Sequence, residues 1–343
     1  MTTTPPVYII SGGAGFIGSN LVARLQRDEP EARLYVVDDF STGSYANIVE
    51  ACIRHNAGPF RGTIMPDSIT DLNWQPAIMG LKPKAVFHLA AITNTLEFDE
   101  KKMISVNSEP FIDILDACIE SEVPLVYASS GATYGTPPQA EQEIPFPIDA
   151  AGNPSNVYGF SKWLMDVEVQ RVFQQSLIDS GKLPHVVGLR YFNVFGPGEA
   201  RKGKMASMIY HLANQMLAGN NPKIFEHGQH QRDQIFVDDI VSGTIAASKA
   251  SAKPGIYNLG SGTTTTFNDI VDGINTALGT SKQPEYIPMP EEMITSYQHY
   301  TCADITKTTE GLGWAPEHTP SEAIISYAAQ LAKDSQKATA HPS

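Results

Sequence analysis

A short apolar run, Val7-Tyr8-Ile9-Ile10, feeds directly into Ser11-Gly12-Gly13-Ala14-Gly15-Phe16-Ile17-Gly18, and helically spaced apolar residues continue to Arg27. Strand, glycine turn and helix in that order open a parallel α/β unit. The glycines allow a sharp turn and let backbone N–H groups approach a pyrophosphate. Glycine is also common in such turns for backbone reasons alone, so the context has to carry the reading. A second apolar run, Leu34-Tyr35-Val36-Val37, ends at Asp38. That position is about 20 residues past the turn, where an acid that accepts from the adenosine ribose hydroxyls belongs. Asp39 follows, and no Arg or Lys lies between Phe40 and Arg54. A 2′-phosphate would meet carboxylates there, which argues for NAD over NADP.

Further buried-strand candidates are Ala85-Val86-Phe87-His88-Leu89, Leu125-Val126-Tyr127-Ala128 and Val186-Val187-Gly188-Leu189, separated by helical stretches around Lys101–Ser121 and Val157–Ser180. Strand alternates with helix, and the apolar runs are continuous rather than alternating. Both features predict a doubly wound parallel (Rossmann) sheet covered on both faces. Past Gly196 the elements shorten and Pro and Gly punctuate them. The expected division is a dinucleotide-binding domain over 1–195 and a smaller α/β substrate lobe mainly over 196–335. Residues 235–262 are expected to return to the sheet, and 336–343 to form a flexible tail.

The net charge of −13 argues against nucleic acid or an anionic membrane as partner. An anionic ligand then needs a local concentration of positive charge, and Arg201, Lys202 and Lys204 supply one. Three widely spaced cysteines, Cys52, Cys118 and Cys302, make no disulfide framework, so a reducing, cytoplasmic setting is expected. Met1–Pro6 does not read as a signal peptide, and no apolar run is long enough to span a bilayer. His227 and His230 lack a metal-binding context, so no metal is expected.

Tyr158 and Lys162 stand four residues apart in Tyr158-Gly159-Phe160-Ser161-Lys162, so on a helix they share a face. A free phenol has a pKa of about 10 and is a poor base at neutral pH. A nearby ammonium favours the phenolate. Ser130 closes the run Leu125–Ser130, at the carboxyl edge where open α/β sheets place their ligands. Alone, Ser130 reads as a turn or cap residue and Tyr158-x-x-x-Lys162 as surface decoration. Beside a nucleotide turn they read as a proton-handling centre. No Gly-x-Ser-x-Gly elbow or Cys/His pairing supports a nucleophile.

These features, with Arg190-Tyr191-Phe192-Asn193-Val194-Phe195-Gly196-Pro197, resemble the extended short-chain dehydrogenase/reductase family of sugar-nucleotide epimerases and dehydratases. The resemblance covers nearly the whole chain. It runs nearest to the branch of 6-epimerases acting on ADP-glycero-manno-heptose, a lipopolysaccharide precursor. Three stretches carry that closer likeness: His88–Met103; Gly196–Ser207 with its Lys202-Gly203-Lys204-Met205-Ala206-Ser207; and Glu285–Pro290 followed by Ser296–Asp304. Gly198 departs from the branch, which has arginine at that position.

The resemblance implies C6 inversion through a transient ketone, with hydride passed to and from NAD. Tyr158 and Lys202 are then the acid/base pair, Ser130 holds the reacting oxygen, and Lys162 binds the nicotinamide ribose and lowers the pKa of Tyr158. It further implies cofactor contacts at Gly12, Gly15, Phe16, Ile17, Gly18, Asp38, Asp39, Asp67, Ser68, Ala90, Ala91 and Asn107. Substrate contacts are implied at Thr95, Glu97, Asn193, Lys202, Arg232 and Tyr297, and a homo-oligomer is expected. A UDP-hexose 4-epimerase is the alternative, since a pyranose that turns over whole can use Tyr158 on both faces. A 4,6-dehydratase wants an acid pair after Ser130, and Gly131 and Ala132 do not supply it. A non-catalytic NAD-binding scaffold has no need of the Ser130, Tyr158 and Lys162 set.

Overall fold

A computed structural model describes residues 4–290 and 298–340 of the chain. The first half alternates β1 (Val7–Ser11), α1 (Phe16–Asp28), β2 (Arg33–Val37), α2 (Tyr45–Arg54), β3 (Thr63–Met65), α3 (Trp74–Leu81), β4 (Ala85–His88), α4 (Glu100–Asn107), α5 (Glu109–Glu120) and β5 (Leu125–Ser130). After the short α6 (Pro138–Glu141) come the long α7 (Val157–Ser180) and β6 (Val186–Tyr191). Beyond β6 the chain forms β7 (Asn193–Phe195), α8 (Met208–Leu217), β8 (Lys223–Phe225), β9 (Gln231–Arg232), β10 (Gln234–Phe236), α9 (Val237–Ala247) and β11 (Gly255–Leu259).

Seven strands form one sheet in the order β3-β2-β1-β4-β5-β6-β11, and every pairing is parallel. β1, β4, β5 and β6 are buried along their whole length, as expected of strands covered on both faces. One face packs on α1, α2 and α9 through residues such as Leu21, Ile48 and Ile240; the other packs on α3, α5 and α7 through Ile78, Phe111 and Met165. β11 comes from the stretch 255–259 and adds a seventh strand beside β6.

The second lobe has its own core of Phe195, Ile209, Leu212, Ile270, Ile324 and Tyr327. Helix Phe267–Leu278 starts with a reciprocal Thr266–Asp269 capping box and stops at Gly279, whose φ of 62° is left-handed.

The expected helical stretch around 101–121 is present as two helices, because Pro110 has no N–H to offer Val106 and its ring crowds the preceding turn. The break falls at Ser108, next to Asn107. The tail expected over 336–343 is helical through Ala340, as the end of helix Pro320–Ala340. Its Gln, Lys and Ala residues favour helix, and Lys337 pairs with Asp334 one turn back. None of the described helices is long and apolar enough to cross a membrane.

Candidate active site

The glycines of the first turn are there because nothing larger fits. A Cβ on Gly18 would lie 2.0 Å from the Gly12 carbonyl oxygen, and one on Gly12 would lie 2.6 Å from the Ala90 nitrogen. Gly12 therefore lets β1 and the end of β4 converge, and Gly18 lets α1 lie on the turn. α1 starts at Gly15 with no side-chain cap and no acid in its first turn, so its leading N–H groups stay open to an anion.

Asp38 closes β2, buried, with one oxygen on the Ala14 N–H at 2.8 Å and the other on the Phe40 N–H at 2.9 Å. Burial lifts its pKa above the usual carboxylate value, and those backbone bonds oppose the rise. Each oxygen keeps a lone pair, and that is what a ribose hydroxyl would have to use. Asp39 is exposed beside it, and Asp67 and Ser68 follow β3 on the same sheet edge.

Ser130 ends β5, and its hydroxyl oxygen accepts from the Ala132 N–H at 3.1 Å, starting a tight turn over Gly131–Tyr134. α7 begins at Asn156, whose side chain accepts from the Gly159 N–H at 2.8 Å. Gly159 lets that first turn press against the Ser130 turn, since a Cβ there would lie 2.5 Å from the Ala132 carbonyl oxygen. Tyr158 and Ser130 are thereby brought to line one cleft. They share a cleft of about 260 Å³ with Thr95, Asn193, Arg232, Gln298 and Thr301.

Lys162 lies one turn past Tyr158 and is 1 % exposed. Its ammonium touches the Met165 sulfur at 3.8 Å. Burial lowers its pKa to about 8, and Asp166 opposes the shift. Asp166 is itself buried, bonded to Arg190 at 2.8 Å and to the Tyr127 hydroxyl at 2.8 Å. The expected lowering of the Tyr158 pKa by Lys162 is not found in the chain alone. Burial raises it, and the Ser130 side chain pulls the other way. Desolvation of a phenolate outweighs one hydroxyl donor.

Asn107 is fully buried, and its side chain is engaged within the protein. Its carbonyl accepts from the Ile92 N–H at 2.8 Å, and its amide donates to the Ile92 carbonyl at 3.0 Å and the Ser161 hydroxyl at 3.0 Å. It clamps the 90–95 loop to the helix that carries Tyr158 and Lys162.

Residues 8–260 match the NAD dependent epimerase/dehydratase family. The chain belongs to that family. It is similar to the crystal structure of the Helicobacter pylori ADP-L-glycero-D-manno-heptose-6-epimerase, with 29 % identity, 96 % of each chain covered and a TM-score of 0.80. It is also similar to the UDP-glucose 4-epimerase of Thermotoga maritima, at 26 % identity over 96 % of this chain and 99 % of that one, with a TM-score of 0.80. A UDP-N-acetylglucosamine 4-epimerase from Methanobrevibacter ruminantium shares the fold at 23 % identity, covering 97 % and 100 % of the two chains with a TM-score of 0.81.

As an NAD-dependent member of the epimerase/dehydratase family, the protein needs a dinucleotide seat. The glycine turn, the uncapped start of α1 and the carboxyl-edge acid Asp38 fit one. Ala90 and Ala91 lie partly buried at the end of β4, Ala90 against the turn.

Two expected substrate contacts, Glu97 and Lys202, do not line this cleft. Glu97 is held by its own loop, accepting from the Phe98 and Asp99 N–H groups and pairing with Lys102 at 3.0 Å, so its carboxylate is occupied outside the cleft. Lys202 does not line the cleft. Its ammonium lies 5.5 Å from the ring centre of Phe16, at the start of α1. Burial lowers its pKa and Glu199 opposes the shift. Tyr297 lies outside the described residues.

Sequence reasoning missed Gln298 and Thr301, which line the cleft. Thr301 accepts from the Asn193 amide at 3.2 Å, and the Asp233 N–H bonds to the Thr301 carbonyl at 2.8 Å. The signal available was their place in the Ser296–Asp304 stretch.

Proposed function

We propose that this protein inverts C6 of an ADP-glycero-manno-heptose through a transient 6-keto sugar. The observation that carries the reading is that Ser130 and Tyr158 line one cleft at the sheet edge, together with Arg232. NAD, when bound, accepts and returns the hydride that a redox-neutral inversion requires. Tyr158 takes the proton of the reacting hydroxyl of one epimer as the hydride leaves, and in the reverse direction returns one to that oxygen. Ser130 donates to that oxygen and orients it. Lys162, below the pair, holds the nicotinamide ribose and adds the positive charge that the buried phenol needs. Arg232 offers a planar donor fork to a diphosphate, beside Asn193, with Thr95 on the sugar side. Lys202 handles the proton on the opposite sugar face, because the two epimers present their hydroxyls on different sides and no single side chain suits both.

The similarity to the heptose epimerase and the Lys202–Ser207 segment support the C6 substrate. A second reading, a UDP-hexose 4-epimerase, is favoured by one observation: Tyr158 faces the cleft and Lys202 does not line it. Incubation with NAD and a panel of ADP-heptoses, UDP-glucose and UDP-galactose, followed by NMR at the inverted carbon, separates the two. Turnover of the UDP-hexoses alone would overturn the heptose assignment. Localisation to the cytoplasm and homo-oligomer formation belong to the same reading.

A further inference from the structure

Asp233 follows Arg232 and is fully buried. It sits where three pieces of chain meet: the link between β9 and β10, the turn after β11, and the segment 299–303. Its backbone belongs to a short parallel ladder with that segment. The Thr301 N–H bonds to the Gln231 carbonyl at 3.1 Å, and the Asp233 N–H bonds to the Thr301 carbonyl at 2.8 Å. The next rung of such a ladder would run from the Ala303 N–H to the Asp233 carbonyl. That carbonyl is taken. It accepts from the Asn193 N–H at 3.1 Å and from the Asn193 side-chain amide at 3.0 Å.

The carboxylate supplies the missing rung. One oxygen accepts from the Ala303 N–H at 2.9 Å and the Gly262 N–H at 3.1 Å. The other accepts from the Ser261 N–H at 2.7 Å and the Ser261 hydroxyl at 2.8 Å. Gly260 makes room for it, since a Cβ there would lie 2.6 Å from the carboxylate and 2.6 Å from the Ala303 side chain. Burial lifts the pKa of Asp233 to about 6, and these bonds oppose the rise, so the ionised form prevails at neutral pH. Four donors on two oxygens leave no place for an amide, because asparagine would turn N–H groups toward N–H groups.

We propose that Asp233 is a positioning residue for the nucleotide sugar: by serving Asn193 with its carbonyl and the 301–303 segment with its carboxylate, it fixes Asn193, Arg232 and Thr301 at the spacing that receives a diphosphate. This deepens the function proposed above and rests on its placing of a diphosphate at Asn193 and Arg232. All three residues line the cleft, and Asp233 itself does not. The Thr301 hydroxyl accepts from the Asn193 amide at 3.2 Å, a contact that needs the 301–303 segment in register. The dinucleotide seat is built elsewhere, from the glycine turn after β1, Asp38 after β2 and Ala90 after β4, and uses none of these bonds.

The full chain, loaded with NAD, is titrated with ADP and with UDP in a calorimeter, and the NAD affinity is titrated separately. Asp233→Asn should bind the nucleotide that the parent prefers at least about tenfold more weakly, with NAD affinity within about twofold of the parent. Equal nucleotide affinity in a folded variant overturns the proposal. A parallel loss of nucleotide and NAD overturns it too, since that marks a general loosening of the fold. If Asp233→Asn does not fold, Ser261→Ala removes one donor and leaves the carboxylate. The expected loss of nucleotide affinity is then about threefold, and an unchanged value is equally fatal. Failure of the nucleotide-sugar reading shows instead on the parent, as no binding of ADP or UDP, and takes this proposal with it.

Discussion

Ser130 and Tyr158 are brought into one cleft by the close approach that Gly159 allows between the start of α7 and the turn that closes β5. The Ser130 side chain favours the phenolate but does not overcome burial, which holds the phenol's pKa above its usual value. Tyr158→Phe should therefore cut epimerisation by about 10²–10⁴-fold while NAD binding survives. Steady-state rates and a fluorescence titration of NAD check this together. A variant that keeps the parent rate removes the phenol from the reaction.

Lys202→Met should lower kcat by about 10²-fold and leave NAD affinity near the parent value. Rates taken in both directions with the two C6 epimers decide it. Equal loss in both directions marks a shared proton handler. No loss favours the single-tyrosine alternative, in which the sugar itself turns over.

Gly18→Ala should cost about 1–3 kcal/mol of stability and impair dinucleotide binding, because the added methyl must push aside the Gly12 carbonyl. Thermal melts with and without NAD read both effects. A variant that melts with the parent and binds NAD equally well would mean that the turn has room to spare.

His88 sits fully buried at the end of β4, bonded to Ser11 at 2.8 Å, and burial holds its pKa down to about 3. The unfolded chain, near 6.5, takes up a proton that the folded chain refuses. Stability attributable to this site is complete above about pH 6.5 and declines as the pH falls toward 3. The loss at pH 4 should reach roughly 3 kcal/mol. Denaturant melts of the parent and His88→Phe across that range test it: the variant should lose stability less steeply with acid. Parallel slopes would show that His88 does not drive the acid sensitivity.

The central sheet was legible because its strands are continuous apolar runs, and α7 because Asn156 and Gly181 mark its two ends. The Ser130–Tyr158 pairing was legible only through the combination of three motifs, none decisive alone. Other features depended on long-range contacts that leave no local trace. The clamp by Asn107 joins two segments 15 residues apart and a third 54 residues away. Thr301 enters the cleft because its backbone is stitched to Gln231 and Asp233. Lys202 was identified by its neighbours in sequence, but its ammonium stands over Phe16 because the loop that carries it packs across α1.

The edge strand β11 has a consequence for how the molecule is made. It is synthesised after much of the second lobe, yet it covers the hydrogen-bonding edge of β6 and, through Asn258, receives the hydroxyl of Tyr134 at 2.6 Å. Until residue 259 has emerged from the ribosome, the nascent sheet carries the unpaired backbone edge of β6, of the kind that recruits other chains. A fragment ending at residue 195 would keep that border permanently and should clump rather than fold.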